Sequence, residues 1–149
     1  MISVILSYET LDRIADAVIP ALLIIFLLTA AVTFFRAPDS RKALGKTCLY
    51  FLLLVVIAYG LMFLDRRFHL WQAAGLDYST HTAVSLALGL PLCLLLNRFK
   101  GVVIAVLVAY TALMLYQGYH SIQDILTTAV VILAGAFLIY RWLFRRQAV

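Results

Sequence analysis

Two histidines stand where apolar runs begin: His81 in Asp77-Tyr78-Ser79-Thr80-His81-Thr82, and His120 in Tyr119-His120-Ser121-Ile122-Gln123-Asp124. Imidazole can act as nucleophile, base or acid near neutral pH. It is also costly at membrane depth, so its placement there is usually tied to function. His120 and Asp124 are four apart, which on a helix puts both on one face. A carboxylate that accepts one ring N–H fixes the tautomer and strengthens the other nitrogen as nucleophile or base. Ser79 and Thr80 precede His81. They read both as helix N-caps and as hydroxyls beside an anion at a helix N-terminus. Together with Arg66 and Arg67, these groups suit a phosphoryl ligand.

Composition says what must carry them. The 149-residue chain is 65% hydrophobic and 13% charged, whereas apolar residues make up about half of a soluble domain. The apolar residues fall in five blocks: Ala17 to Phe35, Thr47 to Leu64, Ser79 to Leu96, Gly101 to Tyr119 and His120 to Leu143. Each approaches the roughly 20 residues that cross a hydrocarbon core. The expected fold class is therefore all-α, a polytopic membrane helical bundle of about five transmembrane helices. It forms a single integral-membrane domain over residues 1–149. Residues 1–16 carry Glu9, Asp12 and Asp16, which reads as an interfacial helix and not as a cleavable signal. Pro20 and Pro91 fall inside spans, where neighbouring helices can re-satisfy a kinked backbone. Cys48 and Cys93 match no metal or redox spacing and read as packing residues.

The net charge of +5 is not a nucleic-acid signal, because its distribution follows the spans. Arg36, Arg41, Lys42 and Lys46 lie between the first two, Arg98 and Lys100 between the third and fourth, and Arg141, Arg145 and Arg146 after the fifth. Only Arg13, Arg66 and Arg67 fall on the opposite side. This bias puts the N-terminus outside and the C-terminus in the cytoplasm. The connection 65–78 then faces outward, with Trp71 and Tyr78 expected at headgroup level, and carries part of the site. Arg66, Arg67, His69, Asp77, Ser79, Thr80, His81, His120 and Asp124 all come to that face.

These residues resemble motifs of the type 2 phosphatidic acid phosphatase family. Tyr78-Ser79-Thr80-His81-Thr82 is similar to its Pro-Ser-Gly-His-Thr signature. Tyr116, Gly118, His120, Asp124, Ile125 and Leu126 fall in the register of its third motif, Ser-Arg, five residues, His, three residues, Asp. The resemblance covers roughly the second half of the chain. It implies that His120 attacks phosphorus to form a phosphohistidine, that Asp124 orients it, and that His81 protonates the leaving oxygen. It further implies that Ser79, with nearby backbone N–H groups, holds phosphoryl oxygens, a division that suits in-line transfer. The chain departs from the family in four places. Leu113-Met114 replaces the Ser-Arg, and Tyr78 and Thr80 replace Pro and Gly. Arg66 or Arg67 stands alone for the first motif's Lys, six residues, Arg-Pro. The chain also has one span fewer than the family's usual six.

The expected function is an integral-membrane hydrolase of a lipid phosphate or pyrophosphate, independent of metal and cofactor, working at the periplasmic face of a bacterial inner membrane. Its partners are membrane lipids, with a membrane-protein subunit or a second copy as further candidates. The alternative is a family-like protein without activity that binds a lipid phosphate or serves in a membrane assembly, which the missing cations favour. Bis-histidine haem ligation would compete with the Asp124 pairing. The sequence does not choose among phosphatidate, phosphatidylglycerol phosphate, undecaprenyl pyrophosphate and lipid A phosphates.

Overall fold

The computed structural model describes residues 8–145, and among these it is all-helical. Helix α1 runs Tyr8–Arg36, α2 Arg41–Phe68, α3 Thr80–Leu95, α4 Lys100–Tyr116 and α5 Ile122–Arg145. Short 3-10 turns at Pro38–Ser40, Gln72–Ala74 and Asn97–Phe99 lie in the connections. The interfacial helix expected over 1–16 is not separate in its described part: Tyr8 to Asp16 is continuous with the first span. Residues 1–7 lie outside the described residues.

Helices α1, α2 and α5, and α4 taken together with the turn Asn97–Phe99 that runs into it, are long and apolar enough to cross a membrane, which marks an integral membrane protein. The third block is the exception. Helix α3 has 16 residues, about 24 Å at 1.5 Å per residue, short of a hydrocarbon core about 30 Å thick. It is short because Ser79 caps its start and Leu96 leaves the helical conformation at its end. It is also the most enclosed helix, with nine buried residues, and it packs against all four others. The outer helices present Leu27, Leu28, Val56, Phe63, Val108, Val130 and Leu138 outward. An apolar exterior of this kind suits lipid and not water.

Packing around α3 relies on small residues, since helices in lipid associate by close contact and not by a hydrophobic driving force. Ala58, Ala83 and Ala87 have no exposed surface. At Gly89 a methyl group would fall 2.5 Å from Leu107 Cδ1 on α4, so glycine sets how closely α3 and α4 approach. Tyr50, Leu54 and Ala136 close around Ala87.

One end of the bundle gathers the start of α1, the α2–α3 connection and the α4–α5 connection. Tyr119 Oη donates to the Asp12 carboxylate, and Tyr8 Oη to the Gln117 carbonyl at 3.4 Å. The other end carries Arg36, Arg41, Lys42, Lys46, Arg98, Lys100, Arg141 and Arg145, with Asp39 as its only acid. Replacing Ala87 by Leu should cost about 1–3 kcal/mol by overpacking the seam between α2, α3 and α5. The same change at outward-facing Ala105 should stay within about 0.5 kcal/mol. Thermal unfolding of both variants in mild detergent checks the difference.

Candidate functional site

Asp65, in the last turn of α2, starts the construction. Its carbonyl accepts the His69 N–H at 2.7 Å, and its Oδ1 accepts the Trp71 N–H at 2.8 Å. His69 turns left-handed (φ 53) and ends the helix. The chain then folds back over the bundle instead of extending into the headgroups. Trp71 Nε1 donates to Thr127 Oγ1 at 3.1 Å, and its ring meets Tyr78 edge-on at 4.9 Å. Tyr78 is buried and donates to the Ala58 carbonyl at 2.8 Å. Burial, with the nearby Asp65 charge, pushes its phenol pKa up, so it stays a neutral donor. Tyr78 is thus a buried anchor of the connection and Trp71 a partly buried one.

Ser79 begins α3. Its Oγ accepts the Thr82 N–H at 3.3 Å and pairs with Thr82 Oγ1 at 2.8 Å, while its own N–H donates to Thr128 Oγ1 at 3.1 Å. It is fully buried, so the capping role is the one its geometry serves. Thr80, one residue on, lines the cavity instead.

The second connection places His120 outside the helix. Gly118 adopts φ +70, a conformation that glycine reaches without strain, and α5 starts only at Ile122. The rule that put His120 and Asp124 on one helical face therefore does not apply. Asp124 Oδ2 accepts the Ser121 N–H at 2.8 Å and Ser121 Oγ–H at 2.7 Å, and its Oδ1 accepts the Asp77 N–H at 2.8 Å. The carboxylate within ion-pair distance of His120 is that of Asp77, with Oδ2 3.4 Å from Nδ1, while Asp124 acts on the ring electrostatically. That separation is an ion-pair distance without hydrogen-bond alignment, since His120 Nδ1 lacks a hydrogen-bond partner among the described residues.

A cavity of about 420 Å³ opens between these parts. Met62, Asp65 and Arg66 line it from α2, Asp77 and Tyr78 from the connection, Thr80 and His81 from α3, and His120 from the far turn. The two imidazole ring centres are 6.4 Å apart. Arg66 reaches this cavity, whereas the Arg67 guanidinium sits 5.5 Å over the Phe68 ring and is not among the lining residues. Met114, where the resembled motif has its arginine, is fully buried against Ala15 and Tyr110 on the inner face of α4. One arginine thus faces two carboxylates and two imidazoles. Among the described residues no cluster of three or more His, Cys, Asp or Glu is placed to hold a metal ion.

No family model, curated protein or solved structure matches this chain. The cavity's chemistry rests on its own residues.

Asp65, Asp77 and Tyr110 complete the surroundings; the sequence placed Asp77 at this face without a role and did not single out Asp65 or Tyr110. Asp65 and Asp77 sit in or beside a connection whose folding the pattern does not specify. Tyr110 carried a usable signal, because a hydroxyl inside the run Val108-Ala109-Tyr110-Thr111 needs a partner away from water. That partner is His81, whose Nδ1 lies 2.8 Å from Tyr110 Oη.

Asp124→Ala removes three accepted hydrogen bonds and should cost about 2–4 kcal/mol. Asp77→Ala keeps the backbone N–H and removes a carboxylate that is 67% exposed, so its effect should stay within about 0.5 kcal/mol. Unfolding of the two variants in detergent separates the structural carboxylate from the exposed one.

Proposed function

We propose that this protein is an integral-membrane hydrolase of a lipid phosphate or pyrophosphate, acting at the periplasmic face of a bacterial inner membrane through a phosphohistidine. The observation that carries the reading is the pair of imidazoles lining one cavity with Arg66, beside the N-terminus of α3. Such a set contains what phosphoryl transfer needs: a nucleophile, an acid and donors for the charged oxygens. The basic residues gathered at the opposite pole support an outward cavity, with the N-terminus outside and the C-terminus cytoplasmic. Motif similarity around His81 and His120 supports the same chemistry.

In the proposed reaction His120 is the nucleophile. Its Nδ1 faces Asp77, which leaves Nε2 to attack phosphorus while the P–O bond to the leaving group breaks. Protonated His81 gives its proton to that leaving oxygen. Water then attacks the phosphohistidine, neutral His81 takes the proton, and phosphate leaves with His120 restored. Arg66 and Thr80 hold phosphoryl oxygens. Asp124 contributes by holding the Asp77 backbone and the Ser121 turn in register, with Asp77 supplying the charge beside His120.

The placement of Asp65 and Asp77 on the cavity wall favours a second reading. A dianionic phosphate meets two carboxylates and one arginine, and a site of that balance could hold a lipid phosphate without turning it over. Phosphate release from a panel of lipid phosphates and pyrophosphates, by detergent-purified protein without added metal, decides between the two. On the hydrolase reading, His120→Ala and His81→Ala each lose at least about a hundredfold. Arg66→Ala raises KM by about tenfold or more. Release that survives His120→Ala removes the phosphohistidine route. Binding without release in the wild type leaves the second reading.

A further inference from the structure

We infer that Tyr110, on α4, is the positioning residue of His81. It holds the imidazole through both halves of the reaction by accepting the Nδ1–H, which keeps Nε2 as the nitrogen that gives and takes the proton. This inference rests on the hydrolase reading of the same cavity.

His81 is gripped on the side away from the reacting group. Its Nδ1 lies 2.8 Å from Tyr110 Oη, and the Tyr119 ring stacks on it at 5.9 Å with 11° between planes. Tyr119 is tied in turn to the Asp12 carboxylate on α1. Tyr110 is itself buried, packed against Ala15 and Met114. Asp16, on the same helix, lies close enough to act electrostatically on both His81 and Tyr110. With Nδ1 occupied, Nε2 is the nitrogen left to exchange a proton with a bound phosphate ester.

The identity of the partner matters. A carboxylate on Nδ1 would favour imidazolium and weaken the acid. A phenol oxygen accepts the Nδ1–H without adding a charge. When His81 is protonated, Nδ1–H donates to the tyrosine oxygen and the Nε2 proton is the one given to the leaving oxygen. The neutral ring then keeps its proton on Nδ1, still donated to Tyr110 Oη, and bare Nε2 takes a proton from the attacking water. The same hydrogen bond is kept in both states, so the ring need not reorient between the acid step and the base step.

Leaving-group dependence tests this. Proton donation matters for an alkoxide leaving group and little for an acidic phenol, whereas general damage to the site slows both substrates equally. The substrates are a short-chain alkyl lipid phosphate and p-nitrophenyl phosphate, compared in wild type, Tyr110→Phe and His81→Ala. The readout is kcat/KM, which reports the steps through departure of the leaving group and not the dephosphorylation that both esters share. Tyr110→Phe should lower kcat/KM on the alkyl ester by about tenfold or more and on the aryl ester by no more than about threefold. His81→Ala should show the same pattern more strongly. An equal fall in kcat/KM on both esters, or no fall, overturns the role of Tyr110 while leaving the hydrolase reading intact.

A wild type that releases phosphate from neither ester overturns the hydrolase reading instead. The positioning claim is then read from 15N NMR of histidine-labelled protein: an unchanged His81 tautomer in Tyr110→Phe overturns it, and loss of the single tautomer supports it. If the phenylalanine variant fails to fold, 3-fluorotyrosine at position 110 keeps the shape and changes the phenol's acidity. It should alter the alkyl rate alone, and no selective change would overturn the proposal.

Discussion

The Asp124 carboxylate is the tie on which the cavity depends. One oxygen takes the backbone N–H of Asp77, and the other takes the N–H and hydroxyl of Ser121. The two connections that carry the imidazoles are remote in sequence, and this single side chain holds them in register. Hydrogen bonds to a charged acceptor are roughly twice as strong as neutral ones. Here they are also largely shielded from water, since Asp124 is buried. Trp71 to Thr127 and Ser79 to Thr128 add two further bonds between the same connection and α5. The start of α5 thus acts as a rack of acceptors, at Asp124, Thr127 and Thr128, onto which the α2–α3 connection is hung. Spacing of four in the sequence suggests that this acid serves His120 directly. In the fold it acts on His120 electrostatically, while its hydrogen bonds go to Asp77 and Ser121.

A short, enclosed α3 follows from the same arrangement. The helix starts at a buried cap, Ser79, and carries an imidazole in its first turn. Its N-terminus lies beside the connection that Asp124 holds. The surrounding helices are longer, and α1 and α2, at 29 and 28 residues, or about 44 and 42 Å, provide the wall that α3 lacks the length to be. Small residues on α3 bring the backbones close, which compensates in a lipid solvent where burying leucine against leucine gains little. Thr80 and His81 are thereby placed at the end of a well-packed central helix, while Asp77 and His120 come from the connections that Asp124 ties together.

Much of this was legible in residue types. Charges bracket the apolar runs, so the number of helices and their ends follow from blocks of about 20 residues. His81 and His120 stood out because each is the polar residue at the start of such a block, and Ser79 read as a cap and is one. What failed to show in the pattern depended on where a helix begins. Placing the start of α5 at His120 puts His120 and Asp124 on one face. Gly118 and the Ser121 turn delay it to Ile122, and the pairing moves to Asp77. Asp77 could not be assigned from spacing, because its partner lies in a different connection. Tyr110 differs: its hydroxyl inside an apolar run called for a partner, but nothing in the spacing said that the partner is His81.

The charge balance of the cavity sets the terms for any phosphate that enters. Arg66 is its one permanently charged cation, against Asp65 and Asp77. These acids are not equivalent. Asp65 spends Oδ1 on the Trp71 N–H, and as part of the turn that ends α2 it cannot move away. Asp77 is largely exposed, and its charge is screened by solvent. A phosphate seated between Arg66 and the imidazoles would therefore feel Asp65 as a fixed neighbour and Asp77 as a weak one. On the proposed hydrolase reading, protonated His81 adds positive charge in the same state in which it can give up a proton. Neutralising the substrate and protonating its leaving group would then fall to one imidazole, the ring that Tyr110 and Tyr119 contact and that Asp12 of α1 backs through Tyr119.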